Sequence, residues 1–185
     1  MFLNSFLFSK GTLYMNNTSH NALFGTKTAD NLMHAFEHES KSALRGNIYS
    51  LQASMEKDTG TRRMLDEISE NGTASGELWL SYLDETDTTP ENLRRLSEIK
   101  NDVDSILYDD MAQTADKEGF HEIAEKFRMA SSVSKSHANL LDDRISQLEH
   151  TKQWHPDTTF RCPVCGYIIM GNAMPDACPL CNGAF

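Results

Sequence analysis

Between residues 29 and 149 the apolar side chains recur every three or four positions, in four runs separated by turn-forming residues. The first, 29–55, carries Leu32, Phe36, Ala43, Tyr49 and Ala53, contains no proline, and stops at Lys57-Asp58-Thr59-Gly60. The second, 61–83, is marked by Met64, Leu65, Ile68, Leu78, Trp79 and Leu83 and breaks before Pro90. The third, 91–117, runs through Leu93, Leu96, Val103, Leu107 and Met111 to a turn at Glu118-Gly119. The fourth, 120–149, uses Ile123, Phe127, Ala130, Val133, Leu141, Ile145 and Leu148. A period near 3.6 rather than 2 excludes strands here. Amphipathic helices joined by short turns predict a mainly α chain built on an antiparallel four-helix bundle.

The two halves repeat at about sixty residues, one helical hairpin each. Asn31-Leu32 is answered by Asn92-Leu93, and Tyr49 and Ala53 by Tyr108 and Ala112. Such a pseudo-twofold core is either a duplicated packing unit or the frame of a central site.

Polar residues on the inward stripes bear on that choice. In the first helix Leu32, Phe36, Glu39 and Ala43 share a face, and in the fourth Phe127, Ser134, His137 and Leu141 do so. The second contributes Gly72 and Ser75, the third Lys100 and Val103. Glu39 and Lys100 each stand eight residues past the asparagine of their repeat. The expected central layer is therefore Glu39, Gly72, Ser75, Lys100, Val103, Ser134 and His137. A di-iron bundle needs a glutamate from each of two helices and a Glu-x-x-His from each of the others. Here only Glu39 and His137 are conventional ligands, so no di-iron centre is expected. A buried carboxylate is costly unless compensated, and the ammonium of Lys100 is the expected partner of Glu39.

The chain has 185 residues, enough for one sizeable core and a small appendage, and a net charge of −10 without a basic stripe. Nucleic acid and anionic membranes are poor partners for such a chain. No run approaches the roughly 18 to 20 apolar residues of a membrane span. Residues 1–28 lack periodicity and are expected to be a flexible N-terminal segment, in which Met15 would serve as a start as well as Met1. Their apolar stretch is short, with neither a basic leader nor a clear cleavage site, so export is not expected. The bundle is expected over 29–150, a linker over 151–159 and a small separate domain over 160–185.

That small domain holds all four cysteines, as Cys162-Pro163-Val164-Cys165 and Cys178-Pro179-Leu180-Cys181. Two C-x-x-C turns aim four thiolates at one point, a tetrahedral sulfur site that suits iron or zinc. Gly166 permits close backbone approach to sulfur, and Tyr167, with Phe160 and Phe185, is expected to pack around the metal. Disulfides within local pairs, or a dithiol redox motif, fit two matched turns less well. Iron would make the site a one-electron centre, and zinc would make it structural.

Cys162-Pro163-Val164-Cys165-Gly166-Tyr167, then Cys178-Pro179-Leu180-Cys181 and a terminal aromatic, resembles the rubredoxin-like domain of rubrerythrins. The helices resemble that family too, at residues 31–40, 77–83, 91–93, 106–120 and 123–127, and the likeness covers about 29–185. It implies a ferritin-like bundle, a cytoplasmic iron protein concerned with oxidative stress, an oxidoreductase in which electrons pass from the iron held by four cysteines to a di-iron site that reduces peroxide, and a homodimer. Of the family's bundle ligands, the first-helix glutamate matches Glu39. The second-helix glutamate and histidine fall on Gly72 and Ser75, and the third-helix carboxylates on Lys100 and Val103. The fourth-helix pair falls on Ser134 and His137. Most of the di-iron set is thus replaced while all four cysteines remain. The expectation is one iron (Fe2+/Fe3+) at Cys162, Cys165, Cys178 and Cys181, with zinc as the substitute, serving electron transport or redox sensing with a redox partner protein. The competing readings are a peroxide reductase with an atypical bundle metal site, and a non-enzymatic zinc-ribbon scaffold. His34, His38, His121, His150 and His155 are expected on the surface or in the linker, and Trp154 near the hinge.

Overall fold

A computed structural model describes residues 22–150, 159–171 and 173–185. The expected N-terminal segment is therefore described only from residue 22 and the linker only at Thr159, while Trp154 and His155 lie outside the described residues. The chain is mainly α, with a two-stranded antiparallel sheet near its end. It divides into two compact units, one ending at Thr86 and the other beginning at Asp87.

The first unit is a helical hairpin, α1 (Lys27–Met55) and α2 (Thr59–Tyr82). The Thr26 hydroxyl accepts from the Ala29 amide at 3.2 Å and starts α1. Lys57, at φ +63°, turns the chain, and the Asp58 carboxylate then accepts from the Thr61 amide at 3.0 Å. That cap places Gly60 inside α2, so the helix begins at Thr59, two residues before the expected start.

Small residues make the seam between these helices. Ala43, Gly46, Ser50 and Ala53 are buried on α1, and Ser69, Gly72 and Gly76 on α2. The α1 seam continues the stripe through Leu32, Phe36 and Glu39. On α2 Gly72 is buried where expected, but on either side of it the buried line lies one position further on: Ser69 and Gly76 are buried, whereas Ile68 is 52 % exposed and Ser75 only partly buried. A stripe drawn through large apolar residues misses this because glycine and serine carry no hydropathic signal. Within the seam the Ser50 hydroxyl donates to Asp66, which Arg62 also approaches at 3.7 Å.

The second unit opens with α3 (Thr89–Glu98), continues through a π-helical turn (Ile99–Asp104) into α4 (Ser105–Lys117), and returns along α5 (His121–Glu149). The Asn92 side chain clamps the entry, accepting from the Asp87 amide at 2.8 Å and donating to the Asp87 carbonyl at 2.9 Å. Gly119, at φ +86°, makes the α4–α5 turn, and Phe120 N–H closes on the Ala115 carbonyl at 2.8 Å. Ala112, Ala115 and Ala124 form the core beside that turn, flanked by Phe127 stacked on Tyr108.

The expected third helix is thus interrupted. A π-turn carries an extra residue and rotates the phase of the helix beyond it. Val103, expected inward, is 57 % exposed, while Asp104 is partly buried and takes the Lys100 ammonium at 2.6 Å. Lys100 was expected beside Glu39; within its own unit it pairs with Asp104, on the next turn of the same helix. His34, His38, His121 and His150 are exposed, as expected.

A candidate four-cysteine metal centre

The small domain is built from two copies of one turn. β1 (Thr159–Arg161) pairs antiparallel with β2 (Ile168–Met170), Phe160 facing Ile169, and the first C-x-x-C turn lies between them. A bridge from Ala177 to Ala184 frames the second turn in the same way. In the first, Gly166 N–H returns to the Cys162 carbonyl at 3.0 Å and Cys162 N–H reaches the Tyr167 carbonyl at 2.9 Å. In the second, Asn182 N–H returns to the Cys178 carbonyl at 2.8 Å and Cys178 N–H reaches the Gly183 carbonyl at 2.8 Å.

Each turn needs a left-handed residue directly after its second cysteine. Gly166 stands there at φ +80° and Asn182 at φ +56°. Glycine is free in that region, and asparagine is one of the few side chains that visits it routinely. The role of Asn182 was missed in the sequence, although its place after Cys181, matching Gly166 after Cys165, was the available signal.

The turns converge on one point. The four sulfurs lie within 4.8 Å of one another. Sγ of Cys162 is 3.6 Å from Sγ of Cys181, and Sγ of Cys165 is 3.7 Å from Sγ of Cys178. Cys162 and Cys178 are each 1 % exposed, and Cys165 and Cys181 are partly exposed. Phe160, Tyr167 and Phe185 are half-buried around them. Gly183 lies close under Val164 and Cys181. A Cβ there would stand 2.8 Å from Val164 Cγ2 and 3.3 Å from the Cys181 sulfur.

Burial, backbone amides and the neighbouring sulfurs together set the electrostatics. Burial pushes the Cys162 thiol up, but hydrogen bonds from the Cys165 and Val164 amides and from the neighbouring sulfurs outweigh it and bring its pKa to about 6. Burial pushes Cys165 up to about 12, with the other sulfurs adding to the rise and the Tyr167 amide opposing it. At Cys181 the Gly183 amide lowers the pKa, but burial and the adjacent Cys162 and Cys178 sulfurs leave it raised. The donor set therefore fits a divalent or trivalent ion that takes thiolate sulfur.

These shifts make the site sensitive to pH. The metal-free value for Cys162 lies below its ordinary 9.0, so the stability it lends is present above that pH and fades as pH falls toward 6. Cys165 is shifted the opposite way and keeps its proton at neutral pH. Because the ion takes thiolates, its uptake must displace thiol protons, and zinc or cobalt is expected to bind metal-free protein more tightly at pH 8 than at pH 6. An affinity that does not change with pH in a metal titration would show that the ligands are not titrating thiols.

Among the described residues, these four cysteines are the one group of three or more His, Cys, Asp or Glu side chains whose ligand atoms come together. The expected central layer is seen in two parts. In the first hairpin Gly72 is buried against Ala43 and Glu39, with Ser75 partly buried beside it. In the second unit Ser97 reaches the Ala138 carbonyl at 3.4 Å and Ser131 the Ser105 carbonyl at 3.2 Å. These contacts hold α5 against the turn that carries Lys100 and Val103. On α5, Ser134 is buried, and Nε2 of His137 is buried without a hydrogen-bond partner among the described residues. Glycine, serine, valine and a lysine already engaged by Asp104 do not furnish the carboxylates a di-iron centre needs.

Comparison with known proteins bears on both regions. Residues 160–184 match the family model described as "Rubrerythrin, rubredoxin-like domain". Over 179 residues the chain is 30 % identical to Rubrerythrin-1 of Clostridium acetobutylicum, covering 86 % of this chain and 92 % of that protein. It is 30 % identical over 180 residues to a rubrerythrin of Clostridium perfringens, covering 86 % and 92 %. It is 28 % identical over 175 residues to one of Porphyromonas gingivalis, covering 85 % and 86 %.

Proposed function

This chain belongs to the rubrerythrin family, and from that premise we propose that it is a one-electron carrier or redox sensor using a single iron at Cys162, Cys165, Cys178 and Cys181, with no di-iron centre among its helices. The observation that carries the reading is unequal retention. Four cysteines converge within 4.8 Å, whereas Glu39 and His137 alone keep ligand character at the bundle positions the family resemblance marks.

Bound there, iron supplies a ferric–ferrous couple, where zinc would supply shape alone. The chain's own groups suit the first use. Amides of Val164, Cys165, Tyr167 and Gly183 point at sulfur and favour the extra negative charge of the reduced state. Burial of Cys162 and Cys178 keeps water from two of the sulfurs, and the partly exposed Cys165 and Cys181 give electrons a short way in and out. The proposed partner is a redox protein, and the proposed setting is a cytoplasmic homodimer. A net charge of −10 argues against nucleic acid. Among the described residues no helix is long and apolar enough to cross a membrane.

Anaerobic titration with dithionite tests the reading. About one electron per chain should bleach the visible bands, and hydrogen peroxide should reoxidise the protein stoichiometrically without sustained turnover. Continuing peroxide consumption with an electron donor would contradict it in favour of a peroxide reductase. A colourless, redox-silent zinc protein from iron-replete cells would favour the scaffold.

A further inference from the structure

We infer that the first hairpin has closed over the position at which the family carries its second-helix glutamate, so that position 72 is short of room as well as lacking a ligand. This rests on the metal-free reading of the helices and deepens it.

The position is Gly72, which is buried on the α1–α2 seam. A Cβ built there would stand 3.1 Å from Cβ of Ala43, 3.4 Å from the Glu39 carbonyl oxygen and 3.5 Å from Oε2 of Glu39. Carbon atoms pack best at about 3.5–4.0 Å. The first atom of any side chain at 72 is thus tight against the Ala43 methyl, with the backbone and carboxylate of Glu39 in ordinary contact beside it. A glutamate would need room for every atom beyond that Cβ as well.

The same seam is tight further along. At Gly46 an added Cβ would overlap the Ser69 hydroxyl, which is itself bonded to the Leu65 carbonyl at 2.9 Å. Glycine is among the poorest helix formers, so glycines on both sides of one helix–helix contact point to close approach. Ordinary loss of a ligand would be served as well by alanine, which favours the helix. Glu39, the ligand that survives, now serves as filler against Gly72.

The closure predicts a coupling between facing residues. In full-length protein, thermal unfolding of the helices is followed by circular dichroism for Gly72→Ala, Ala43→Gly and the double variant, and iron per chain is counted in the same samples. Gly72→Ala is expected to lower the melting temperature although alanine is the better helix former. The double variant is expected to lose less than the sum of the two single changes, because removing the Ala43 methyl makes room. Gly72→Glu should melt lower still and gain no iron. A rise in melting temperature for Gly72→Ala, or additive losses, would overturn the closure. Extra iron in the unsubstituted protein would overturn the metal-free reading, whatever the melts show, so the two failures are distinguishable.

Discussion

Replacing Cys162 by alanine is expected to empty the small domain of metal and to unfold it, while the helices persist. The domain has almost nothing else to hold it. Its strands are three residues each, and among its described residues only Cys162 and Cys178 are fully buried. Domains below about 40 residues rarely fold on a hydrophobic core alone. In such cases metal binding is the folding energy, about 10–16 kcal/mol for structural zinc in small fingers. Three remaining sulfurs leave an open, water-accessible position, and the bond from Cys162 N–H to Tyr167 loses the anchor that fixes its turn. The expected readout is metal content near zero, cleavage by protease confined to the chain after Glu149, and helical circular dichroism close to that of the unsubstituted protein. Retention of stoichiometric metal would show that the domain does not depend on four sulfurs.

Gly46→Leu should give the largest loss of helix stability, about 3 kcal/mol, at the upper end of what overpacking costs. The size of the loss depends on how much can move. Alanine at 46 needs only the Ser69 hydroxyl to rotate away from the Leu65 carbonyl, a cost of about 1 kcal/mol that its better helix propensity largely offsets. Leucine adds an isobutyl group on a seam where Ser50, Ala53 and Ser69 are all buried. No single side chain can turn aside to admit it, so α1 and α2 must separate. For a chain of this size the loss corresponds to roughly 6–12 °C in melting temperature. A leucine variant that melts with the unsubstituted protein would mean that the helices are not in close contact at this point.

The two parts of the molecule were unequally legible in sequence. The cysteine turns could be read directly because their chemistry is local: four residues set each pair, and Gly166 marks the turn. Asn182 plays the same part less visibly, since asparagine is common in many loops. Helix existence was also plain from periodicity, and the ends fell within two residues of the expected ones because Thr26, Asp58 and Gly119 act through nearby backbone. What stayed hidden was rotational phase. In the seam of the first hairpin Ala43 and Gly72 stood on the expected stripes, but Gly46, Ser50, Ser69 and Gly76 leave no hydropathic trace, and Ile68 and Tyr49 mark positions beside it. The π-turn at 99–104 was equally silent. An inserted residue in a helix changes which side chains face inward without changing composition, and it moved Val103 out and Asp104 in.

The π-turn also bears on Lys100. Read on an unbroken helix, its ammonium belongs to the central layer and seeks a carboxylate there. On the π-turn it meets Asp104 first, at 2.6 Å. Both side chains remain partly exposed, so this pair adds little to stability, of the order of 1 kcal/mol or less. Its importance is chemical. An ammonium now stands at one position where the family resemblance implies a carboxylate for metal, and it also compensates the charge of the neighbouring Asp104 carboxylate.

Metal per chain is the most direct test of a single iron beside a metal-free bundle. Protein prepared without oxygen from iron-replete cells should contain about one iron and little zinc, with ferric–thiolate absorption that disappears on reduction. A value near three irons per chain, with two of them retained after Cys162→Ala, would restore a di-iron centre to the helices and contradict the central claim.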